Sequence, residues 1–419
     1  MRRLMASENI NKNNLRKKII IIFMIMFTEI LGFSIVMPVI PFLGLSLGLN
    51  PFQIGLILSI FSFCQLLASP ITGKLSDRFG RKPILIFSQF STFIGFLLLG
   101  MSTNVWILIA ARLVDGLLGS NMTVSQAYLS DITSPQNKTR VFGYSSAVFG
   151  LALIFGPAIG GTLSVISYST PMFLAAGISL LSIILVIILL PESLTEKKER
   201  FSLRFEDVIP IKEARRFFKS SMIRSLLLIF FIYNFGFFIF MSTFSLFAQE
   251  QLAISAKEVG IYLAWIGFTR VLFQSLLIDP LLKKISENAL LFSGIISLIF
   301  SMVFLAFTSN FIIIFIPLFF LSYGTGVGRP ILSSKLSKAV KREETGSIFG
   351  VNNSLTSIGQ IFCPILGGLI IQYLPSGILP LTSSAIFILI FLLWRKAFKK
   401  PKFEVKDKIK SEILQTEIE

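Results

Sequence analysis

Long apolar stretches separated by short polar ones fill the chain from residue 19 to residue 398. A helix needs about 20 mostly apolar residues to cross the hydrocarbon core of a bilayer. Windows of that size predict twelve membrane-spanning helices, at 19–43, 52–72, 84–101, 105–128, 141–166, 171–190, 222–248, 258–279, 289–308, 311–334, 347–371 and 377–398. Most connections are short. The exception is 191–221 (PESLTEKKERFSLRFEDVIPIKEARRFFKSS), a charged stretch that divides the spans six and six. The expected organisation is therefore an all-α membrane protein: an N-terminal tail at 1–18, a six-helix bundle at 19–190, a central loop at 191–221, a second six-helix bundle at 222–398 and a C-terminal tail at 399–419. The first span follows a basic leader (Arg16, Lys17, Lys18) but runs well beyond a signal-peptide core, so a retained helix is expected.

The two halves repeat each other. Residues 142–161 read FGYSSAVFGLALIFGPAIGG and residues 349–368 read FGVNNSLTSIGQIFCPILGG. At an offset of 207, Phe142, Gly143, Phe155, Pro157, Gly160 and Gly161 meet Phe349, Gly350, Phe362, Pro364, Gly367 and Gly368. At an offset of 205, Ile54-Gly55 and Phe87-Ser88 meet Val259-Gly260 and Phe292-Ser293. Two pseudo-symmetric six-helix bundles joined by a linker imply a protein that rocks around a site between its halves.

Composition narrows the chemistry. With 53% hydrophobic and 15% charged residues and a mean hydropathy of +0.79, the chain departs from a soluble domain, at about 45–50% apolar and about 25% charged. There is no histidine, which removes His-based triads, His-ligated zinc or haem, and imidazole pH switches. Two cysteines make no disulfide framework, and no metal site is expected. No phosphate-cradling G-x-x-x-x-G-K-[ST] occurs and no paired carboxylates suggest hydrolysis, so neither an enzyme nor a bound cofactor is expected. The net charge of +17 is mostly topology. All but four of the 39 Lys and Arg lie in the loops, tails, linker and span ends that share a side with the N-terminus; the four are Lys257, Arg112, Arg270 and Arg329. This positive-inside pattern predicts an inner-membrane protein with both termini cytoplasmic. It supplies no base-reading face, so nucleic acid is excluded as a partner.

The informative polar residues are those the membrane pattern does not explain. The loop after span two reads GKLSDRFGRKP, with Gly73, Asp77, Arg78, Gly80, Arg81 and Lys82; a solvated basic turn would account for its charges alone, but not for its spacing. In span four, Arg112, Asp115, Gly119, Met122 and Gln126 fall on one face of a continuous helix. A charge there costs about 3 kcal/mol or more unless it faces protein or water, which leaves either a structural Arg112–Asp115 pair or a functional one. Glu29 stands about half way along span one among apolar neighbours, a setting for a carboxyl group that loads and releases a proton. In span five, Pro157 removes a backbone hydrogen bond while Gly156, Gly160 and Gly161 permit close helix approach. Asp131 ends span four. Tyr233, Asn234, Phe237 and Met241 in span seven, Arg270 in span eight, and Asn353 and Gln360 in span eleven, together with Gln126, sit where they could line a cavity; stripes of this kind are more often plain packing.

These stretches resemble one family. The loop spacing G-x-L-x-D-R-x-G-R-K is similar to the loop motif of the major facilitator superfamily, Arg112 and Gly116 to its fourth-helix pattern, and Gly156-Pro157 with Gly160-Gly161 to the fifth-helix motif of its antiporters. Glu29, Gly32, Pro38 and Pro41 resemble the first helix of tetracycline-type and multidrug proton antiporters. The chain is thus identified as resembling the twelve-helix drug:proton antiporters, with the major facilitator fold. That resemblance implies proton coupling at Glu29, with Arg112 and Asp115; a conformational latch at the loop with Asp131; a monomer whose partners are a small lipophilic substrate, protons and the bilayer; and energy from a proton gradient. Asp115 is a departure, because those antiporters commonly carry an uncharged residue there. Tetracycline-specific exporters carry acids in spans three and nine, whereas 84–101 and 289–308 contain none. A broader drug specificity is expected; a nutrient or metabolite transporter on the same fold is the alternative.

Overall fold

In a computed structural model the described residues, 2–134, 137–194, 210–341 and 344–398, form helices and no strand. Most of the expected central loop (195–209) and the tail at 399–419 lie outside them. The helices are α1 (Arg2–Val36), α2 (Ile40–Ser46), α3 (Pro51–Phe79), α4 (Arg81–Gly100), α5 (Val105–Leu118), α6 (Asn121–Ile132), α7 (Lys138–Leu163), α8 (Ser169–Leu189), α9 (Ile211–Lys219), α10 (Ser221–Met241), α11 (Phe244–Leu252), α12 (Ala256–Leu272), α13 (Ile278–Lys284), α14 (Glu287–Phe307), α15 (Phe315–Lys338), α16 (Thr345–Tyr373) and α17 (Ile378–Phe398). A π-helical turn, Phe273–Leu277, joins α12 to α13. Among the described residues ten helical stretches are long and apolar enough to cross a membrane, so the chain is a multi-pass membrane protein. The two other expected spans fall on α15, diluted by Arg329, Lys335 and Lys338, and on α17.

Three helices expected to be continuous are interrupted. The stretch 19–43 breaks at Met37–Val39, where Pro38 and Pro41 withhold backbone donors. The stretch 222–248 breaks at Ser242-Thr243, at the equivalent place in the second half. The stretch 105–128 breaks at Gly119-Ser120, which divides the expected single face: Arg112 and Asp115 are on α5, Met122 and Gln126 on α6.

The repeat is visible in local structure. Asn50 and Gln53 form a reciprocal capping box at the start of α3, and Ser255 and Glu258 form its counterpart at the start of α12. Ser91 donates to the Val114 carbonyl at 2.6 Å, and Ser297 donates to the Phe320 carbonyl at 2.7 Å. α4 packs on α8 and α5, and α1 on α7; α14 packs on α15 and α17, and α10 on α16. Two seams join the halves: α7 against α12, and α3 against α16.

Glycine makes both seams possible. A Cβ on Gly260 would overlap the Pro157 carbonyl, and one on Gly55 would overlap the Pro364 carbonyl, its equivalent. A Cβ on Gly161 would stand 2.7 Å from the Ala256 carbonyl oxygen. These contacts gather towards one end of the molecule, near Pro51, Ala256, Gly161 and Gly368. At the opposite ends of α7 and α16, Gly143, Gly346 and Gly350 meet nothing within 4 Å. The closest glycine contacts between the halves thus lie towards one end of α7 and α16.

Candidate functional site

The break in the fourth span creates the polar centre of the first half. It frees the amides at the start of α6, and no side chain from Ser120 caps them. The Glu29 carboxyl, from α1, takes up that place: it accepts from the Met122 backbone N–H and feels the charge of Asp115. A carboxylate at a helix N-terminus is favoured by the helix dipole. Its second oxygen, Oε2, is buried with no hydrogen-bond partner. An unpaired buried carboxyl oxygen is costly, and a proton or a cationic neighbour would relieve that cost.

Arg112 and Asp115 are both 3% exposed, and their closest approach, Nη2 to Oδ2, is 3.7 Å. That is an ion pair held beyond hydrogen-bond distance. Nε and Nη2 of Arg112 have no hydrogen-bond partner, and its guanidinium carbon stands 5.3 Å from the Phe61 ring centre. Asp115 is drawn towards α4 because Gly95 leaves room: a Cβ there would sit 2.7 Å from the Asp115 Cβ. Thr92 hydrogen-bonds Asp115 and accepts from Asn121 Nδ2 at 2.9 Å, while Ser88 donates to Asn121 Oδ1 at 2.5 Å. This Ser88–Asn121–Thr92–Asp115 chain pins the break in the fourth span to α4. Sequence reading missed it; buried Asn and Thr inside apolar spans were its only signal.

A second cluster closes one end of the first half. Arg81, 8% exposed, donates Nε to Asp131 at 2.9 Å, pairs Nη1 with Asp77 at 2.7 Å and donates Nη1 to Ser76 Oγ at 2.5 Å. Gly80 turns between α3 and α4 with φ of +110°, a region that excludes most side chains. Into that turn comes Glu192, absent from the sequence reading. Its carboxylate accepts from the backbone N–H groups of Arg81 and Lys82 at 2.9 and 3.1 Å and so caps α4. Lys82 Nζ donates to the Ile187 carbonyl at 2.8 Å, and Arg78 is exposed over the Phe79 ring. Gly73 has Thr123 at 3.6 Å from where a Cβ would lie. The second half carries an ion pair of its own at the start of α14, where Glu287 pairs with Lys338 at 2.7 Å.

In the fifth span, a Cβ on Gly156 or Gly160 would overlap Ser34 and the Ile35 carbonyl of α1, and Gly161 faces α12. α7 is thus wedged between its own half and the other. Of the residues expected near a cavity, Gln126 and Asn353 are exposed, and Phe237, Met241, Arg270 and Gln360 are partly exposed. Tyr233 is buried and donates to the Gly324 carbonyl at 3.0 Å; Asn234 is buried and donates to Thr356 at 3.2 Å. Glu29 lies within electrostatic reach of Asp115, while Tyr233 packs on Gly328, next to Arg329, and Arg270 Cγ stands 3.8 Å from where a Cβ of Gly326 would lie.

The family model for the Major Facilitator Superfamily matches residues 22–353 and 226–417. The tetracycline resistance protein, class H, of Pasteurella multocida is 33% identical over 86% of this chain and 90% of its own length. Multidrug resistance protein 2 of Bacillus subtilis (strain 168) is 28% identical over 85% of this chain and 90% of its own length. Among solved structures, a crystal structure of the nucleoside transporter NupG superposes with a TM-score of 0.77 at 12% identity, over 91% of this chain and 99% of that one, a likeness of fold.

Proposed function

Because the chain belongs to the major facilitator superfamily, a family of transporters, we propose that it is a proton-coupled antiporter that exports a lipophilic, drug-like compound by alternating access. The observation that carries this reading is the Glu29 carboxyl, which caps a broken helix with one oxygen and holds the other buried and unpaired, beside Arg112 and Asp115. In this reading the twelve spans form two six-helix bundles in the inner membrane, both termini are cytoplasmic, and the protein works as a monomer driven by the proton gradient without a cofactor. The relatives named for tetracycline and multidrug resistance support a drug substrate. The missing acids in spans three and nine favour a breadth beyond tetracycline.

The cycle follows from the packing. The tight Gly55–Pro364 and Gly260–Pro157 seams belong to the outer side in this topology, so in this reading the conformation is sealed outward. Substrate enters from inside and displaces the proton on Glu29, with Arg112 and Asp115 setting the local charge. The halves then rock about the glycine seams, substrate leaves outward, and a proton returns to Glu29. The Arg81–Asp77–Asp131 cluster, capped by Glu192, holds the loop in shape to latch the cytoplasmic side when it closes.

Reconstituted into vesicles with an imposed pH gradient, the full chain should move at least one of ethidium, tetracycline and norfloxacin uphill against the proton flux. Movement of all three only down their own gradients, indifferent to pH, would defeat the antiport reading. Uptake in the direction of proton flow would favour the importer. For the latch, Asp77→Asn should lower turnover at least tenfold with expression intact, because Arg81 loses one of its two carboxylates; normal turnover in that variant refutes the latch.

A further inference from the structure

Among the described residues, two arginines inside the second half have no acid to answer them. A guanidinium stays protonated in proteins, and within a membrane-spanning bundle each such charge demands a counter-charge or water. Arg112 has Asp115. Arg270, on α12, and Arg329, on α15, make no ion pair and no side-chain hydrogen bond among the described residues. The nitrogens of Arg270 are nevertheless not sealed away: none is among the buried unpaired atoms, where two nitrogens of Arg112 are. Arg329 is exposed although Gly324 to Gly328 before it, and Ile331 and Leu332 after it, are buried.

The glycines of α15 bring the two charges together. Alternate residues of the run Gly324, Gly326 and Gly328 give α15 room to accept three neighbours. Arg270 Cγ stands 3.8 Å from where a Cβ of Gly326 would be, and that glycine lies one helical turn before Arg329. The Tyr233 ring presses on Gly328, next to Arg329, and its hydroxyl is tied to Gly324. Arg270 and Arg329 are within electrostatic reach of each other and of Tyr233. Like charges brought close in this way repel unless an anion sits between them. Two further features point to a built site. The π-helical turn begins three residues after Arg270, and such turns recur at functional positions. Arg270 is also flanked by the seam between the halves: Gly267 meets Leu153, and Gly150 meets Val271.

We propose that Arg270 and Arg329 form an oxyanion-binding subsite that takes the carboxylate of an anionic or zwitterionic aromatic substrate, with Tyr233 as its wall. Planar guanidinium forks match a carboxylate in two-pronged hydrogen bonds. The bound anion also removes the repulsion between the two cations and so ties α12 to α15 at the seam. This inference rests on the transporter reading and narrows its substrate class, leaving the proton site in the first half free to handle the cationic part of a zwitterion.

The test is a charge series on one aromatic body, with the full-length protein in lipid nanodiscs and no pH gradient. Radiolabelled 2-naphthoate should bind saturably, and its methyl ester and 2-naphthylmethylammonium should compete at least tenfold more weakly. Arg270→Gln and Arg329→Gln should each weaken naphthoate binding at least tenfold, the double variant should abolish it, and Arg270→Lys should keep part of it. Variants are scored only when monodisperse on gel filtration; if Arg270→Gln aggregates, Arg329→Gln and Arg270→Lys decide. Absence of saturable naphthoate binding, equal competition by all three compounds, or undiminished binding by a monodisperse Gln variant would overturn the subsite. Charge-selective binding in a protein that never moves any compound uphill would keep the subsite and defeat the antiport reading alone.

Discussion

Glu29→Gln is expected to abolish uphill efflux while leaving substrate binding measurable. The amide keeps the size and one oxygen of the carboxyl, so the acceptor for the Met122 amide at the start of α6 survives. What disappears is the ability to gain and lose a proton. A carrier frozen in the neutral state loads substrate without exchanging it for a proton, so facilitated diffusion remains and the uphill component is lost, a drop of at least a hundredfold in gradient-driven accumulation. Vesicles with an imposed pH gradient measure the first, and binding in the absence of a gradient measures the second. Unchanged uphill transport in the Gln variant would remove Glu29 from proton coupling. Asp115→Asn should be milder. Asp115 keeps Thr92 as partner, and the charge it withdraws is one that Arg112 holds only at 3.7 Å.

Gly260→Leu is expected to cripple transport by prying the seam open. A Cβ there would overlap the Pro157 carbonyl and lie 2.9 Å from the Gly161 Cα. Both obstacles are backbone, which cannot step aside by changing rotamer. Overpacking a tight contact typically costs about 1–3 kcal/mol and occasionally more, enough to shift an equilibrium between conformations by tenfold or beyond. The conformation sealed at this end should therefore be depopulated. Distances between labels on α7 and α12 near their sealed ends should lengthen, and turnover should fall at least tenfold. The matched control is Gly350→Leu, near the other end of α16, where a Cβ meets nothing; it should leave the label distances unchanged. Equal behaviour of the two variants would deny the seam its role.

Much of the fold was legible because membrane insertion writes itself into composition. Apolar runs of sufficient length, bases on one side, and the recurrence of Phe142 to Gly161 at Phe349 to Gly368 all follow from rules that act residue by residue along the chain. The helix breaks were harder. Pro38 and Pro41 signal the first, but Gly119-Ser120 and Ser242-Thr243 carry residues that membrane helices also tolerate, so periodicity ran straight through them. Glu192 was hidden for another reason: it caps α4 from 110 residues away, and long-range pairing leaves no trace in local spacing.

By itself the sequence determined that this is a multi-pass membrane protein of two related halves, which residues carry charge into the bilayer, and that any proton carrier must be a carboxyl group. Only the tertiary structure decided which of those charges have partners. Arg112 faces Asp115, Glu29 completes a broken helix, and Arg270 and Arg329 have no acid partner among the described residues. The physical reason is that hydropathy and topology depend on each residue's own transfer energy, whereas charge pairing depends on approach distances. Glycines such as Gly95, Gly260 and Gly326 set those distances when helices far apart in the chain are packed together.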